Sequence, residues 1–177
     1  LANSKKKSMY SNFEYLSSNK NYKTTIGVKK GTYYIAVKNS DSAYGIKVSY
    51  TGVKENCGTT RSKAKSITKG NTKKGIVTAT QSENAGDWYK FKITKAQAVK
   101  FTFTVKSNGG GKSGGLKALF YQAGKSYSAA SVNCYGDDQK SVQLYTYGKG
   151  NKLAPGTYYI KVQKYSAGNG YYTLKWN

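Results

Sequence analysis

The stretch Val99-Lys100-Phe101-Thr102-Phe103-Thr104-Val105-Lys106 places apolar and polar side chains in strict alternation. Successive residues of a β-strand point to opposite faces, so this pattern predicts a strand with one apolar face and one solvated face. Helical periodicity is nearly absent apart from one short candidate segment at 60–67. The sequence therefore predicts an all-β, antiparallel β-sandwich. The same period of two recurs at 46–50, 89–93, 157–162 and 171–176.

One segment of the sequence occurs twice. Gly31-Thr32-Tyr33-Tyr34-Ile35-Ala36-Val37 returns 125 positions later as Gly156-Thr157-Tyr158-Tyr159-Ile160-Lys161-Val162, and an alternating run follows each copy. The second copy closes a complete unit spanning 54–177, whereas residues 1–53 are too few to bury a core of their own. We expect residues 1–53 to be the C-terminal half of the same unit. They would either dock on residues 54–177 or be completed by sequence outside this chain.

The composition excludes several kinds of catalytic site. The 177 residues contain no histidine, which removes imidazole bases, histidine triads and His-containing zinc sites. Two cysteines cannot form a Cys-only structural zinc site. Asp137 and Asp138 are neighbours in a predicted turn, which does not suit the facing carboxylates of a glycosidase. We therefore predict no catalytic residues and no enzyme activity in this chain.

The charge is strongly positive, with 30 Lys and Arg against 7 Asp and Glu and a net charge of +23. Arg61 is the only arginine, whereas proteins that read bases favour arginine for its planar pair of donors. The sequence therefore predicts no specific nucleic-acid partner. Attraction to an anionic polymer and a merely solvated lysine surface both remain open. No apolar stretch is long enough to predict a transmembrane segment.

Four motifs follow one another in the second unit: Asp87-Trp88-Tyr89-Lys90-Phe91, Leu119-Phe120-Tyr121, Leu153-Ala154-Pro155-Gly156-Thr157-Tyr158-Tyr159-Ile160-Lys161-Val162 and Gly170-Tyr171-Tyr172-Thr173-Leu174. In the order and spacing of these motifs, residues 55–177 resemble the bacterial pre-peptidase C-terminal domain, a family that includes the collagen-binding domains of clostridial collagenases. The resemblance implies a jelly-roll-like β-sandwich, without catalysis, that belongs to a larger bacterial protein such as a secreted peptidase or other hydrolase. It implies an extracellular, cell-surface or cell-wall location.

The resemblance also implies a ligand-binding face. In the collagen-binding relatives the ligand-facing tyrosines lie on the penultimate strand and its neighbours, which here correspond to Tyr159, Lys161 and Tyr165. Eighteen tyrosines suit such a face, because a tyrosine ring offers flat amphipathic area. The expected partner is an extracellular polymer: a collagen-like protein, a glycan or an anionic wall polymer. The alternatives are a structural spacer without a ligand, in which exposed tyrosines only shield strand backbone, and a carbohydrate-binding module.

A calcium site is a weaker implication of the same resemblance. Some collagen-binding relatives hold calcium between the start of the domain and the loop before the Asp-Trp-Tyr strand. The corresponding residues here are Glu55, Asn56, Glu83 and Asp87. The opening segment lacks the family's acid-rich run, and calcium prefers six to eight oxygen ligands. We therefore favour a domain without calcium or any other cofactor, in which Asp87 pins a turn.

Cys57 and Cys134 could form a disulfide. An even cysteine count in an apparently exported chain favours a bridge. A bridge across the 77 positions from 57 to 134 would stabilise the fold by roughly 4–5 kcal/mol in the chain-entropy model. Two free thiols are the alternative.

Overall fold

The alternating runs form β-strands in the computed structural model, which describes residues 1–9, 20–38, 43–107 and 114–177. The described residues form no helix that could span a membrane. The described part of the chain contains nine strands in chain order: β1 Lys65–Ser66, β2 Thr72–Val77, β3 Asp87–Ile93, β4 Val99–Ser107, β5 Gly114–Gln122, β6 Ala130–Tyr135, β7 Asp138–Leu144, β8 Gly156–Ser166 and β9 Gly170–Trp176.

The strands pair into two sheets that face each other, so the predicted β-sandwich is confirmed. One sheet has five strands in the order β1-β3-β8-β5-β6, and the other has four in the order β2-β9-β4-β7. All neighbours are antiparallel except β1 and β3. The long strand β8 lies at the centre of the five-stranded sheet, paired with β3 on one side and β5 on the other.

Alternation along each strand builds the core between the sheets. Phe101 and Phe103 of β4 are fully buried, whereas Lys100 and Lys106 of the same strand are exposed. Burying one such ring stabilises the fold by about 1.5–3 kcal/mol. The Phe101 ring packs against Trp176 with the ring centroids 5.7 Å apart, joining β4 to β9 at the centre of the core.

A glycine opens each of the last two strands, β8 and β9, and the backbone conformation explains why. Gly156 opens β8 with a φ of 153°, and Gly170 opens β9 with a φ of 147°. Side chains rarely adopt this backbone conformation, so glycine is required at both positions. A Cβ on Gly170 would also collide with the backbone of Lys106 in β4.

Two local predictions are wrong, and one strand was not predicted. The candidate helix at 60–67 is a pair of turns leading into β1, because Ile67 pairs with the edge of β3 by donating its N–H to the Lys90 carbonyl at 2.9 Å. The pattern did not indicate β6 as a separate strand. The run at 46–50 alternates as a strand should, yet it lies outside both sheets.

The described part of residues 1–53 contacts the sandwich through a glycine. Gly27 donates its N–H to Asn169 Oδ1 at 2.9 Å and accepts the N–H of Ala79 at 2.8 Å. A Cβ at position 27 would collide with the Val77 carbonyl, so only glycine fits so closely. Within the described residues of 1–53, β-pairing is limited to isolated bridges from Ala2 to Ser8 and Tyr34. The division into units at 1–53 and 54–177 remains a prediction.

Candidate functional site

The outer face of the five-stranded sheet presents the three residues predicted to bind a ligand. Ile160 and Val162 of β8 point into the core, so Tyr159, Lys161 and Tyr165 point to the opposite side of the sheet. All three side chains are half-buried. We call this side of the sheet the outer face.

Arg61, Trp88, Tyr121 and Tyr159 gather at one end of the outer face, and we call them the Arg61 cluster. The Arg61 guanidinium lies 4.6 Å from the centroid of the Tyr159 ring and 5.5 Å from that of Tyr121. The Trp88 and Tyr121 rings pack with their centroids 5.6 Å apart. Three elements thus contribute rings to one surface, because the register of β3, β8 and β5 brings these positions together.

Arg61 is held in place by backbone carbonyl groups as well as by the rings. Its guanidinium donates to the carbonyl oxygens of Lys125 at 2.6 Å and Gln122 at 2.7 Å. Cation–π contacts of this kind are worth about 0.5–2 kcal/mol. The guanidinium covers part of the Tyr159 ring, so this predicted ligand residue is less accessible than the sequence suggests.

Lys161 lies at the middle of the outer face. The strand register places it between Trp88 on β3 and Leu119 on β5. Its ammonium group donates to the Asn84 carbonyl at 2.9 Å and lies 5.7 Å from the centroid of the Trp88 ring. Partial burial, with a smaller effect of the Lys117 charge, lowers the pKa of the Lys161 ammonium.

Lys117, Tyr135, Lys140 and Tyr165 form a second group further along the face, the Tyr165 cluster. The Tyr135 and Tyr165 rings meet edge to face with centroids 5.4 Å apart. Lys117 lies 5.3 Å from the centroid of Tyr165, and Lys140 lies 5.7 Å from that of Tyr135. At about 3.3 Å per residue, the six positions from Tyr159 to Tyr165 separate the two clusters by roughly 20 Å. The predicted residues therefore share a face but belong to two distinct groups.

Two open depressions flank Tyr159. One has a volume of about 530 Å³ and is lined by residues that include Arg61 and Gly124. The other has a volume of about 550 Å³ and extends past Lys90 to Trp176. Both depressions therefore border the Arg61 cluster.

The structure brings together part of the predicted calcium set. Glu55 and Asp87 lie with Cys57 in a group whose potential ligand atoms are all within 4.8 Å of one another. Glu83 is not a member of this group. Glu55 is exposed, whereas Asp87 is nearly buried on the core side of β3.

Hydrogen bonds from neighbouring side chains hold the Asp87 carboxylate. The Tyr172 hydroxyl donates to Asp87 Oδ2 at 2.7 Å and also lies 2.7 Å from the Tyr89 hydroxyl. The pKa of Asp87 is raised to about 6, chiefly by burial and to a smaller extent by the nearby Glu55 charge, while hydrogen bonds from Tyr172 and Cys57 oppose the rise. Burial first, and then the Asp87 charge, raises the pKa of the Cys57 thiol to about 12.

These donors and acceptors are a poor fit to calcium. Glu55 Oε1 already accepts the N–H of Ile76 at 2.7 Å, and Asp87 Oδ2 accepts the Tyr172 hydroxyl. Two carboxylates, each with one oxygen engaged, supply far fewer ligands than the six to eight that calcium takes. The thiol is protonated at neutral pH and also offers no oxygen. We retain the prediction that this domain works without a cofactor.

The predicted disulfide is wrong, because both Cys57 and Cys134 are free thiols. Cys57 precedes Gly58, which pairs with Trp88 on β3, whereas Cys134 lies on β6 at the far edge of the same sheet. Three strand spacings of about 4.8 Å put at least roughly 14 Å between β3 and β6. A disulfide needs Cα atoms within about 7 Å. Sequence reasoning could not show this separation without the strand order.

Sequence reasoning also missed part of the outer face. Arg61, Trp88 and Tyr121 were not predicted as site residues, although Arg61 is the only arginine of the chain. The alternation in β3 could have indicated Trp88, because Tyr89 and Phe91 point to the core and Trp88 must point away.

Comparisons with solved structures find partial similarities. The chain is similar to the pre-peptidase C-terminal domain of a collagenase from Bacillus anthracis, with 20% identity, a TM-score of 0.47, and coverage of 64% of this chain and 93% of that one. It is also similar to a carbohydrate-binding module from Cellvibrio mixtus lichenase 5A, with 15% identity, a TM-score of 0.30, and coverage of 59% and 82%. A β-glucosidase from Paenibacillus barengoltzii shows 12% identity, a TM-score of 0.35, and coverage of 62% and 11%.

No curated protein matches the sequence. Residues 85–164, which run from the end of the loop before β3 almost to the end of β8, match the family model of the bacterial pre-peptidase C-terminal domain. This segment contains three of the four motifs that carried the resemblance. Over these residues the chain is similar to the bacterial pre-peptidase C-terminal domain family.

Proposed function

We propose that this domain attaches a larger secreted or surface protein to an extracellular polymer through the outer face. Pre-peptidase C-terminal domains are non-catalytic accessory domains that occur in secreted proteases. The observation that carries the proposal is the pair of ring-and-cation clusters aligned along β8, about 20 Å apart. A polymer chain lying along β8 would contact both clusters at once, so two weak contacts would act together.

An anionic polymer fits this face best. Cations at both clusters lie over aromatic rings, and among the described residues the only ion pair is Lys140 with Asp138 at 3.3 Å. The positive charge of the face is therefore largely uncompensated by carboxylates. Wall polymers and acidic glycans present repeated negative charges, which such a surface attracts over roughly the Debye length.

Carbohydrate binding by ring stacking is a second candidate, supported by the adjoining Trp88 and Tyr121 rings. Sugar rings stack on aromatic planes by burying apolar area, a contribution that salt affects little. The two candidates share a surface but differ in their dependence on ionic strength.

Retention on insoluble polymers tests the proposal. The full chain is incubated with collagen, mucin, starch and purified cell wall near physiological salt, together with Trp88→Ala and Tyr165→Ala. Tyr147→Ala is the matched control, because Tyr147 is 98% exposed in the loop after β7. We expect each outer-face variant to weaken binding to one polymer by about tenfold, and the control to bind normally. Folding of every variant is checked by its thermal midpoint.

The outcomes separate the hypotheses. Binding that survives about 1 M salt and depends on Trp88 supports stacking, whereas binding lost in salt and in both variants supports an anionic polymer on the outer face. Normal binding by both variants would mean that the outer face is not the site. Retention on none of the polymers would favour the structural spacer.

A further inference from the structure

Two apolar segments near the N-terminus, 31–37 and 44–50, lie outside both sheets of the sandwich. Alternation in 31–37 and 44–50 is that of strands with one apolar face, yet neither segment forms a strand within its described residues. Their apolar side chains face solvent to an unusual degree for a folded domain. The exposed fractions are 51% for Ile35, 46% for Val37, 52% for Ile46, 70% for Val48 and 80% for Tyr50.

The internal repeat shows what these side chains do when their strands are paired. Ile35 and Val37 correspond to Ile160 and Val162 of β8, which are 0% exposed. The run at 46–50 corresponds in the same way to β9, whose inward residues are buried. Gly31 corresponds to Gly156, yet only Gly156 adopts the positive φ that opens the paired strand. The N-terminal copy therefore has the sequence of the two closing strands without their environment.

The second unit shows which neighbouring strands the N-terminal copy lacks. Strand β8 is paired on both sides, by β3 and β5, and β9 is paired on both sides by β2 and β4. Residues 31–37 have one bridge, in which Ala2 and Tyr34 exchange two backbone hydrogen bonds of 2.8 and 2.9 Å. Backbone groups of an unpaired strand are a ready template for further strands. Two flanking strands for each segment would complete a sandwich.

We propose that residues 31–37 and 44–50 form a docking surface for a half-sandwich, a polypeptide that supplies strands equivalent to β2–β5. Gly27, held by Asn169 and Ala79, fixes the start of this surface to the second unit. The second unit cannot be the partner itself, because both sides of β8 and β9 are already occupied. A second copy has its own β2–β5 occupied in the same way, and two chains of +23 repel each other.

Charge further defines the partner. Residues 20–54 contain seven lysines and one aspartate. A half-sandwich that docks here gains from a neutral or acidic surface next to the lysines, in contrast to the basic second unit. The recognition is β-augmentation: main-chain hydrogen bonds supply affinity, and the alternating apolar side chains fix the register.

A fusion protein tests the proposal with a half-sandwich of known sequence. Residues 54–151, which carry β1–β7, are joined through a flexible Gly-Ser linker ahead of the full chain, at about 0.5 M salt to screen the lysines. Amide hydrogen exchange is measured at 31–37 and 44–50 in the fused and unfused proteins. We expect exchange at both segments to slow by about 100-fold or more in the fusion, because paired strand amides are protected. The dye ANS should bind less per molecule as apolar side chains become buried.

The control is the same fusion carrying Ile35→Lys and Val48→Lys, which should exchange as fast as the unfused chain. Equal exchange in the fused and unfused proteins overturns the proposal. Slow exchange in the unfused monomer would also overturn it, because it would mean that the segment docks on its own second unit. A dimer of the unfused chain by light scattering, with protected segments, would replace the half-sandwich with a second copy.

Discussion

Replacing Asp87 with Asn should change how the stability of the domain depends on pH. The Asp87 side chain is nearly buried and accepts a hydrogen bond from Tyr172 at 2.7 Å. Burial is the main cause that raises its pKa from 3.8 to about 6. An asparagine keeps an oxygen that can accept the Tyr172 hydroxyl but never carries the charge.

The sign follows from proton binding. Between about pH 4 and pH 6 the folded protein holds a proton on Asp87 that the unfolded chain has lost. The free energy of unfolding therefore falls as the pH rises through this window, by 1.36 kcal/mol per unit of pKa difference. A difference of about two units gives roughly 3 kcal/mol. This stability is fully present below about pH 4 and is lost above pH 6.

Urea unfolding of the wild type and Asp87→Asn between pH 3 and pH 7, followed by tryptophan fluorescence, measures the effect. We expect Asp87→Asn to gain stability relative to the wild type by roughly 3 kcal/mol across this range. Asp137→Asn is the matched control, because it removes the same charge from an exposed turn. A constant stability difference between the wild type and Asp87→Asn from pH 3 to pH 7 would refute the reasoning.

Three further predictions follow from the same region and from the cysteines. Iodoacetamide should label both Cys57 and Cys134 in the unfolded, unreduced protein, whereas labelling of neither would restore the disulfide. Gly75→Ala should destabilise the fold by about 1–3 kcal/mol in urea, because the added Cβ would collide with the hydroxyl end of Tyr172. Gly45→Ala, where a Cβ meets nothing within 4 Å, is its control, and equal stability of the two variants would contradict the explanation. Millimolar calcium should leave the thermal midpoint unchanged relative to EDTA; a rise would indicate a calcium site that the ligand set argues against.

Alternation was a sufficient guide to most strands of the second unit, because one face of each is buried. The pattern of β4, with Phe101 and Phe103 fully buried, needs no knowledge of neighbours to be read as a half-buried strand. The same pattern was a poor guide at 46–50. Local alternation predicts which side chains a segment would bury if strands were paired on both sides of it. It does not predict whether those neighbouring strands are present.

The outer face was predictable in position but not in detail. Tyr159, Lys161 and Tyr165 follow from the period of β8 once the core side of that strand is known. The contact of Arg61 with Tyr159 joins residues that are 98 positions apart (61 to 159), and it depends on the path of the chain before β1. Likewise, Cys57 and Cys134 are far apart only because the strand order places them at different edges of one sheet.

The scarcity of carboxylates explains how the cations of the outer face are held. With 7 acidic residues for 30 basic ones, most cations cannot find a carboxylate partner. Arg61 and Lys161 instead lie over aromatic rings and donate to backbone carbonyl groups. Rings and carbonyls orient a cation without neutralising it, whereas a carboxylate would cancel its charge. The same contacts that fix the geometry of the face therefore preserve its positive field, which is the property that an anionic polymer requires.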